Sequence, residues 1–299
     1  MDLQKKLHSP KKLATTIDST ATLTADLVEP LQTQKKNQTC NLVVIGDSLA
    51  CGVGCVNKWD KVFYEQQPTS NGVNARRTEK EQREDEWDSD GPILPRVLAN
   101  TLSQRFRCNV RWRSAGVVGG CVEDIQRECM DVIRQDVQYG YPPNVVVILC
   151  GMNDIRTHIT RLFQGASSFR ISLQKLCQEL HWEAPDALIV LPALPVMYEK
   201  NSKNMILVFP AALLAECFIR FWDLQKRRIA KTLGPMQAIF ISRPDSAYVL
   251  SSVSPSSPSL TAADLVHPSD YGYFVWGTFL ANSLADRVQN FHRKITQNA

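Results

Sequence analysis

The stretch Asn41-Leu42-Val43-Val44-Ile45-Gly46-Asp47-Ser48-Leu49 decides how the chain reads. A short apolar run that breaks off in Gly-Asp-Ser predicts a buried strand delivering a serine to the edge of a sheet rather than into its core. Ser48 is thereby a candidate nucleophile. A serine hydroxyl is weak at its own pKa, so it needs a base, a group to orient that base, and donors for the oxyanion it creates. The rest of the chain offers all three.

Working outward, Leu49 to Gly54 are mostly small residues, suited to a turn packed close beside the sheet. A charged insertion over about 58–90 follows; from Asn74 to Asp90 it holds seven acidic and four basic residues and reads as a solvated excursion. Order returns at Gly91-Pro92, where Leu94, Val97, Leu98, Leu102 and Phe106 fall at helical spacing. Asn109–Arg113 alternates as a second strand and leads into a glycine loop, Ser114 to Gly120. An amphipathic helix spans Val122–Val137. Val145–Leu149 is the strongest strand signal, apolar on both faces and therefore central and parallel. Helices over 167–180, 211–231 and 269–291 and strands at 187–191 and 238–241 complete an alternation of strand and helix. That pattern predicts an α/β fold: one parallel sheet of about five strands, doubly wound and covered on both faces.

The polar motifs fall where such a sheet binds ligands. Gly46-Asp47-Ser48, the glycine loop and Gly151-Met152-Asn153-Asp154 each follow a strand, so all three reach the carboxyl edge of the sheet. A fourth piece is Asp264-Leu265-Val266-His267-Pro268. An aspartate three residues before a histidine can set its carboxylate against the imidazole, fixing the tautomer and stabilising the imidazolium that forms when the serine proton arrives. Pro268 disfavours helical geometry at His267, and Ser269 is available to cap the final helix. Neutral oxyanion donors are available in the Ser48 amide, a glycine amide of the second loop and the Asn153 side chain. Asn153 reads equally well as a helix cap. Asp47 is expected to buttress the turn, and His158, His181 and His292 to be structural.

Gly-Asp-Ser-Leu at 46–49, the glycines of 114–120, Gly-Met-Asn-Asp at 151–154 and Asp-x-x-His at 264–267 resemble, in order and spacing, the four blocks of the SGNH, or GDSL-type, hydrolases. The resemblance covers about residues 41–290. It implies a flavodoxin-like, three-layer α/β/α fold and an esterase or lipase acting through an acyl-enzyme. Ser48 is then the nucleophile, His267 the base and Asp264 the acid behind it, with Ser48, Gly119 and Asn153 lining the oxyanion hole. Ser114 and Gly120 stand where the family commonly has asparagine and aspartate, so the second block matches only in its glycines. Gly116 and Gly120 therefore stay open beside Gly119. Two other readings use the same residues: a catalytically silent scaffold whose insertion covers the crevice, and an acyltransferase. Ala50 in place of the last glycine of Gly-x-Ser-x-Gly argues against the ordinary α/β-hydrolase elbow.

Composition narrows the classes further. The formal charge is +4, of which the tail over 1–39 supplies +2 through six lysines against four acidic residues. No concentrated basic face points to nucleic acid. Nine cysteines without a Cys-x-x-Cys pair suggest neither a disulfide framework nor a metal site, and no cofactor is expected. No apolar run is long enough to span a membrane, and the first residues lack a signal-peptide core. These features point to a cytoplasmic protein with a polar tail over 1–39, a catalytic domain over 40–299 and a small-molecule or lipid ester as substrate. Organelle targeting by the threonine- and lysine-rich tail is the alternative. Met205 to Ala215 is the most apolar run, expected to form a core helix or a wall of an acyl pocket.

Overall fold

The computed structural model describes residues 39–55, 64–66, 91–160, 165–195, 205–252, 257–264 and 266–298. The polar tail lies outside them apart from Thr39, and so does the charged insertion apart from one short strand. The chain runs β1 (Thr39–Gly46), β2 (Tyr64–Gln66), α1 (Ile93–Phe106), β3 (Asn109–Gly116), α2 (Val122–Gln138), β4 (Val145–Leu149), α3 (Met152–Thr160) and α4 (Ala166–Glu183). It continues through β5 (Leu188–Pro192), α5 (Met205–Leu233), β6 (Ala238–Ile241), α6 (Ser246–Ser252) and α7 (Asp270–Asn298).

The sheet order is β2-β3-β1-β4-β5-β6. Five strands are parallel in the flavodoxin-like order, and β2 adds antiparallel to β3 at one edge. Side chains alternate across the pleat, so β1 feeds two cores: Leu42 and Val44 on one face, Val43 and Ile45 on the other. The first core is closed by α1 and α7, where Trp276 and Tyr273 are fully buried. The second is closed by α2, α4 and the C-terminal part of α5. The result is a three-layer α/β/α arrangement. Each large apolar side chain so buried contributes about 1.5–3 kcal/mol, which is why the central strands contain little else.

From β1 the chain moves to β3 on one side, then crosses over to β4 on the other. This reversal creates a crevice at the carboxyl ends of the strands, the place where open α/β sheets bind ligands.

Four local features depart from the sequence reading or add to it. The second strand does not stop at Arg113 but pairs with β1 through Gly46↔Gly116, so Ser114 is a buried strand residue whose Oγ donates to the Ala50 carbonyl at 2.9 Å. Register with a neighbour decided this, and no local pattern announces it. Tyr64–Gln66 forms β2 inside the segment read as a solvated insertion; three residues with one partner strand carry no periodicity to detect. Two further helices, Met152 to Thr160 and Ser246 to Ser252, were not assigned from the sequence. By contrast, Ser269 caps α7 as expected, its Oγ accepting the Gly272 amide at 3.1 Å. Met205 to Ala215 lies in the N-terminal part of α5, but its side chains fall outside the described residues. No helix among the described residues is long and apolar enough to cross a membrane.

Candidate active site

Strand β1 ends under constraint. The Asp47 amide donates to the Leu149 carbonyl of β4 at 2.9 Å, and its carbonyl accepts the Ala50 amide at 3.0 Å. Asp47 Oδ1 accepts the Leu49 amide at 3.0 Å, closing a side-chain turn around Ser48. The Asp47 side chain is thus part of the turn itself. It is fully buried, and burial raises its carboxyl to about 6 against the lowering pull of the Leu49 amide and of the Lys226 and His267 charges. Ser48 is buried, 8% exposed.

The histidine arrives from the other end of the sequence. Asp264 Oδ1 accepts the amides of Val266 and His267, each at 3.0 Å, while Oδ2 lies 2.5 Å from His267 Nδ1. One carboxylate thus folds the loop and orients the ring. A proton on Nδ1 facing Asp264 leaves Nε2 as acceptor, and Nε2 lies 2.9 Å from Ser48 Oγ. Burial alone would raise Asp264, but the two backbone amides and the imidazole outweigh it and hold the carboxyl below its ordinary range. The loop is closed by Ala262 N–H to His267 carbonyl at 2.9 Å and by the Thr261–Pro268 bridge. It docks on the turn after Ser48 at Gly54, where φ is +103° and a Cβ would stand 2.8 Å from that of His267. Only glycine allows that approach.

The second loop shrinks to the residues after Gly116. The Val117 amide donates to the Gly46 carbonyl and the Gly120 amide to the Val117 carbonyl, both at 2.9 Å. Gly120 is therefore occupied by the turn, and Gly116 lies within β3. Gly119 is exposed at φ +76°, a conformation other residues adopt at a cost, and its amide makes no hydrogen bond among the described residues. Asn153 is half-buried and lies inside the first turn of α3, after Met152, rather than at the cap.

Sequence reading left Asp154, Ser114 and Tyr273 without roles. Asp154 Oδ1 accepts the Val122 amide at 3.2 Å and so ties the third loop to the second. Burial, aided by the charges of Glu123 and Asp47 and opposed by the Val122 amide, raises Asp154 to about 7. The Tyr273 hydroxyl donates to the Val53 carbonyl at 2.8 Å and pins the turn after Ser48 to α7. A residue late in the chain that braces an early loop gives no signal in a linear sequence. His181 faces the Gln237 side chain at 3.3 Å, away from the Ser48–His267 pair, as a structural histidine would; the side chains of His158 and His292 fall outside the described residues.

Cys121, Glu123 and Asp154 each offer one ligand atom within 4.8 Å of the others. The Cys121 thiol, however, is engaged by Glu123 and Asp124 at 3.1 and 3.0 Å. Burial together with those carboxylates raises it to about 12, which favours the protonated thiol. The nine cysteines are all unbridged.

Comparison with known proteins bears on the fold and the family. A lipase from a goat rumen metagenome, Lip_vut3, superposes with a TM-score of 0.52 at 14% identity, covering 81% of this chain and 96% of its own. The acetylxylan esterase Axe2 of Geobacillus stearothermophilus gives 0.51 at 20% identity, covering 85% and 96%. At such identities these likenesses establish the fold. No curated protein sequence matches the chain. The model of the GDSL-like lipase/acylhydrolase family matches residues 44–275, a span that begins within β1 and ends inside α7. The chain therefore belongs to the GDSL-like lipase/acylhydrolase family, whose general chemistry is ester hydrolysis.

Proposed function

We propose that the protein is a serine esterase that cleaves carboxylic esters of small molecules or lipids through an acyl-enzyme. The observation that carries the reading is the continuous chain Asp264 Oδ2···His267 Nδ1 at 2.5 Å and His267 Nε2···Ser48 Oγ at 2.9 Å. His267 removes the hydroxyl proton as Ser48 attacks the ester carbonyl. The imidazolium then protonates the leaving alcohol, while Asp264 keeps the ring oriented and offsets its charge. Water, deprotonated in turn by His267, attacks the acyl-enzyme and releases the acid.

The tetrahedral oxyanion is received by the amides of Ser48 and Gly119 and by the Asn153 side chain. Gly119 is chosen over Gly120 because the Gly120 amide is already bonded to Val117. Such preorganised donors act where charge develops, so losing one costs roughly 10²–10³ in turnover. Asp47 supports the site through the turn and does not touch the reacting atoms.

The test is hydrolysis of p-nitrophenyl esters, from acetate to long acyl chains, by the wild type and Ser48→Ala. Activity that disappears in a variant of unchanged melting temperature supports the reading, and the preferred chain length reports the size of the acyl pocket. Undiminished turnover by Ser48→Ala would sink it.

A further inference from the structure

We propose that the cavity between α5 and the end of β6 is a second binding site, one that takes a small organic monocarboxylate on the guanidinium of Arg227. This inference goes beyond the esterase reading and does not depend on it.

The cavity holds about 560 Å³, inside the range of roughly 300–1,000 Å³ usual for small-molecule sites. Ala193, just after β5, and Ser242 to Asp245, just after β6, place it at the carboxyl edge of the sheet. It is not the Ser48 crevice: β6 stands three strand positions from β1, about 14 Å away. Its other wall is one stripe of α5, where Glu216, Arg220, Asp223, Leu224 and Arg227 recur at helical spacing.

The lining sets three guanidinium groups, of Arg220, Arg227 and Arg243, against the three carboxylates of Glu216, Asp223 and Asp245. Most of these charges are already engaged. Glu216 takes Arg220 at 2.7 Å and Arg243 at 2.9 Å. Asp223 accepts the Leu194 amide at 3.0 Å and lies 3.5 Å from Arg243, while Asp245 accepts the Tyr248 amide at 2.7 Å. Arg227 differs. Its guanidinium lies over the Phe240 ring, 5.1 Å from the centroid, and makes no hydrogen bond or ion pair among the described residues. A ring beneath the guanidinium plane leaves the in-plane N–H donors unused, and that planar fork fits a carboxylate bidentately.

The ligand class follows from what surrounds the fork. Leu224, 38% exposed, together with Phe240, Ala193 and Pro244 supplies an apolar wall for a short hydrocarbon body. A second negative charge on the ligand would meet three carboxylates and no further uncommitted guanidinium, which disfavours phosphate and other dianions. A cation would find every lining carboxylate already holding a donor. The walls are also fixed before any ligand arrives: Asp223 ties α5 to the residue pair after β5, and Arg243 ties the segment after β6 back to α5. Binding therefore does not have to order them.

The experiment titrates sodium hexanoate into the full-length chain, following both heat and melting temperature, with hexan-1-ol, hexylamine and inorganic phosphate as comparison probes. Wild type, Arg227→Met, Leu224→Asp and Arg228→Met are measured. Arg227→Met should weaken hexanoate binding about tenfold or more, as expected for loss of a charge-assisted hydrogen-bonded pair. Leu224→Asp changes an exposed position and sets a carboxylate against that of the ligand, so it should weaken binding by a similar factor. Arg228→Met removes the neighbouring arginine, which does not line the cavity, and should leave the affinity unchanged. Hexanoate that binds Arg227→Met as tightly as Arg228→Met, as it would if seated in the Ser48 crevice, overturns the proposal. So does hexanol, hexylamine or phosphate binding the wild type as tightly as hexanoate. Absence of both heat and a rise in melting temperature at about 10 mM hexanoate overturns it as well.

Discussion

The turn that carries Ser48 and the loop that carries His267 meet at a 2.9 Å hydrogen bond, yet they are held by opposite means. The serine turn is buried in the sheet: Asp47 is fully inaccessible and its backbone is tied to β4. The histidine loop lies at the surface, with the Asp264 side chain 45% exposed and Val266 56% exposed. Its shape comes from its own short-range bonds. Each region has one aspartate beside its key residue, and the two titrate in opposite directions. Burial raises Asp47 because a dry interior penalises the charged form, whereas donated hydrogen bonds lower Asp264 because they favour it. A carboxylate's neighbour in sequence therefore says little about its protonation, which is set by the number of donors aimed at it and the water left around it.

The largest expected effect falls on the junction of the two regions. His267→Ala should reduce ester turnover by about 10⁴ or more while leaving the fold intact, because the ring sits on a short loop outside both cores; steady-state kinetics beside a melting curve measures both. Next is Asp264→Asn, expected to cost roughly 10²–10⁴ in kcat. The amide can still accept from the Val266 and His267 backbone but no longer holds Nδ1–H and its developing charge. If that variant kept full activity, the local device would be dispensable and the contrast between the regions would be lost.

Asp47→Asn tests the buried half through stability. The folded carboxyl titrates at about 6, above its unfolded value, so the folded state holds a proton that the unfolded chain has released. Stability contributed in this way is present at low pH and is lost as pH rises through about 4 to 6, on the order of 3 kcal/mol by linkage. Asn removes that slope while keeping the acceptor for Leu49. The melting temperature of the variant should therefore gain on the wild type across that interval. For Asp264 the sign reverses: its contribution is present above its unfolded pKa and lost as pH falls through its lower folded value. The smallest effect is at the exit of the histidine loop, where Ser269→Ala removes the cap of α7 and should cost about 1 kcal/mol in a denaturant titration.

Much of this was legible in the chain. Val145–Leu149 announces a central parallel strand because it is apolar on both faces, and the strand–helix alternation around it leaves few topologies. Asp264 and His267 are readable as a pair because a three-residue offset can be closed by local geometry. Their hydrogen bonds are made within that single turn. Asn153 was ambiguous in sequence because helix caps and oxyanion donors use the same residue type, and the start of α3 at Met152 removed the cap reading.

What the sequence determined on its own was therefore everything encoded by adjacency: periodicity, strand ends, and the short loop that orients the histidine. What only the tertiary structure decided depended on groups far apart in the chain. Register with β1 made Ser114 a strand residue, the Gly120 amide bonded to Val117, and the fold buried Lys226 with its ammonium on the Pro192 carbonyl. The physical reason is that burial and charge neighbours are properties of a place in the fold, and a place is specified only when strands and helices distant in sequence have packed.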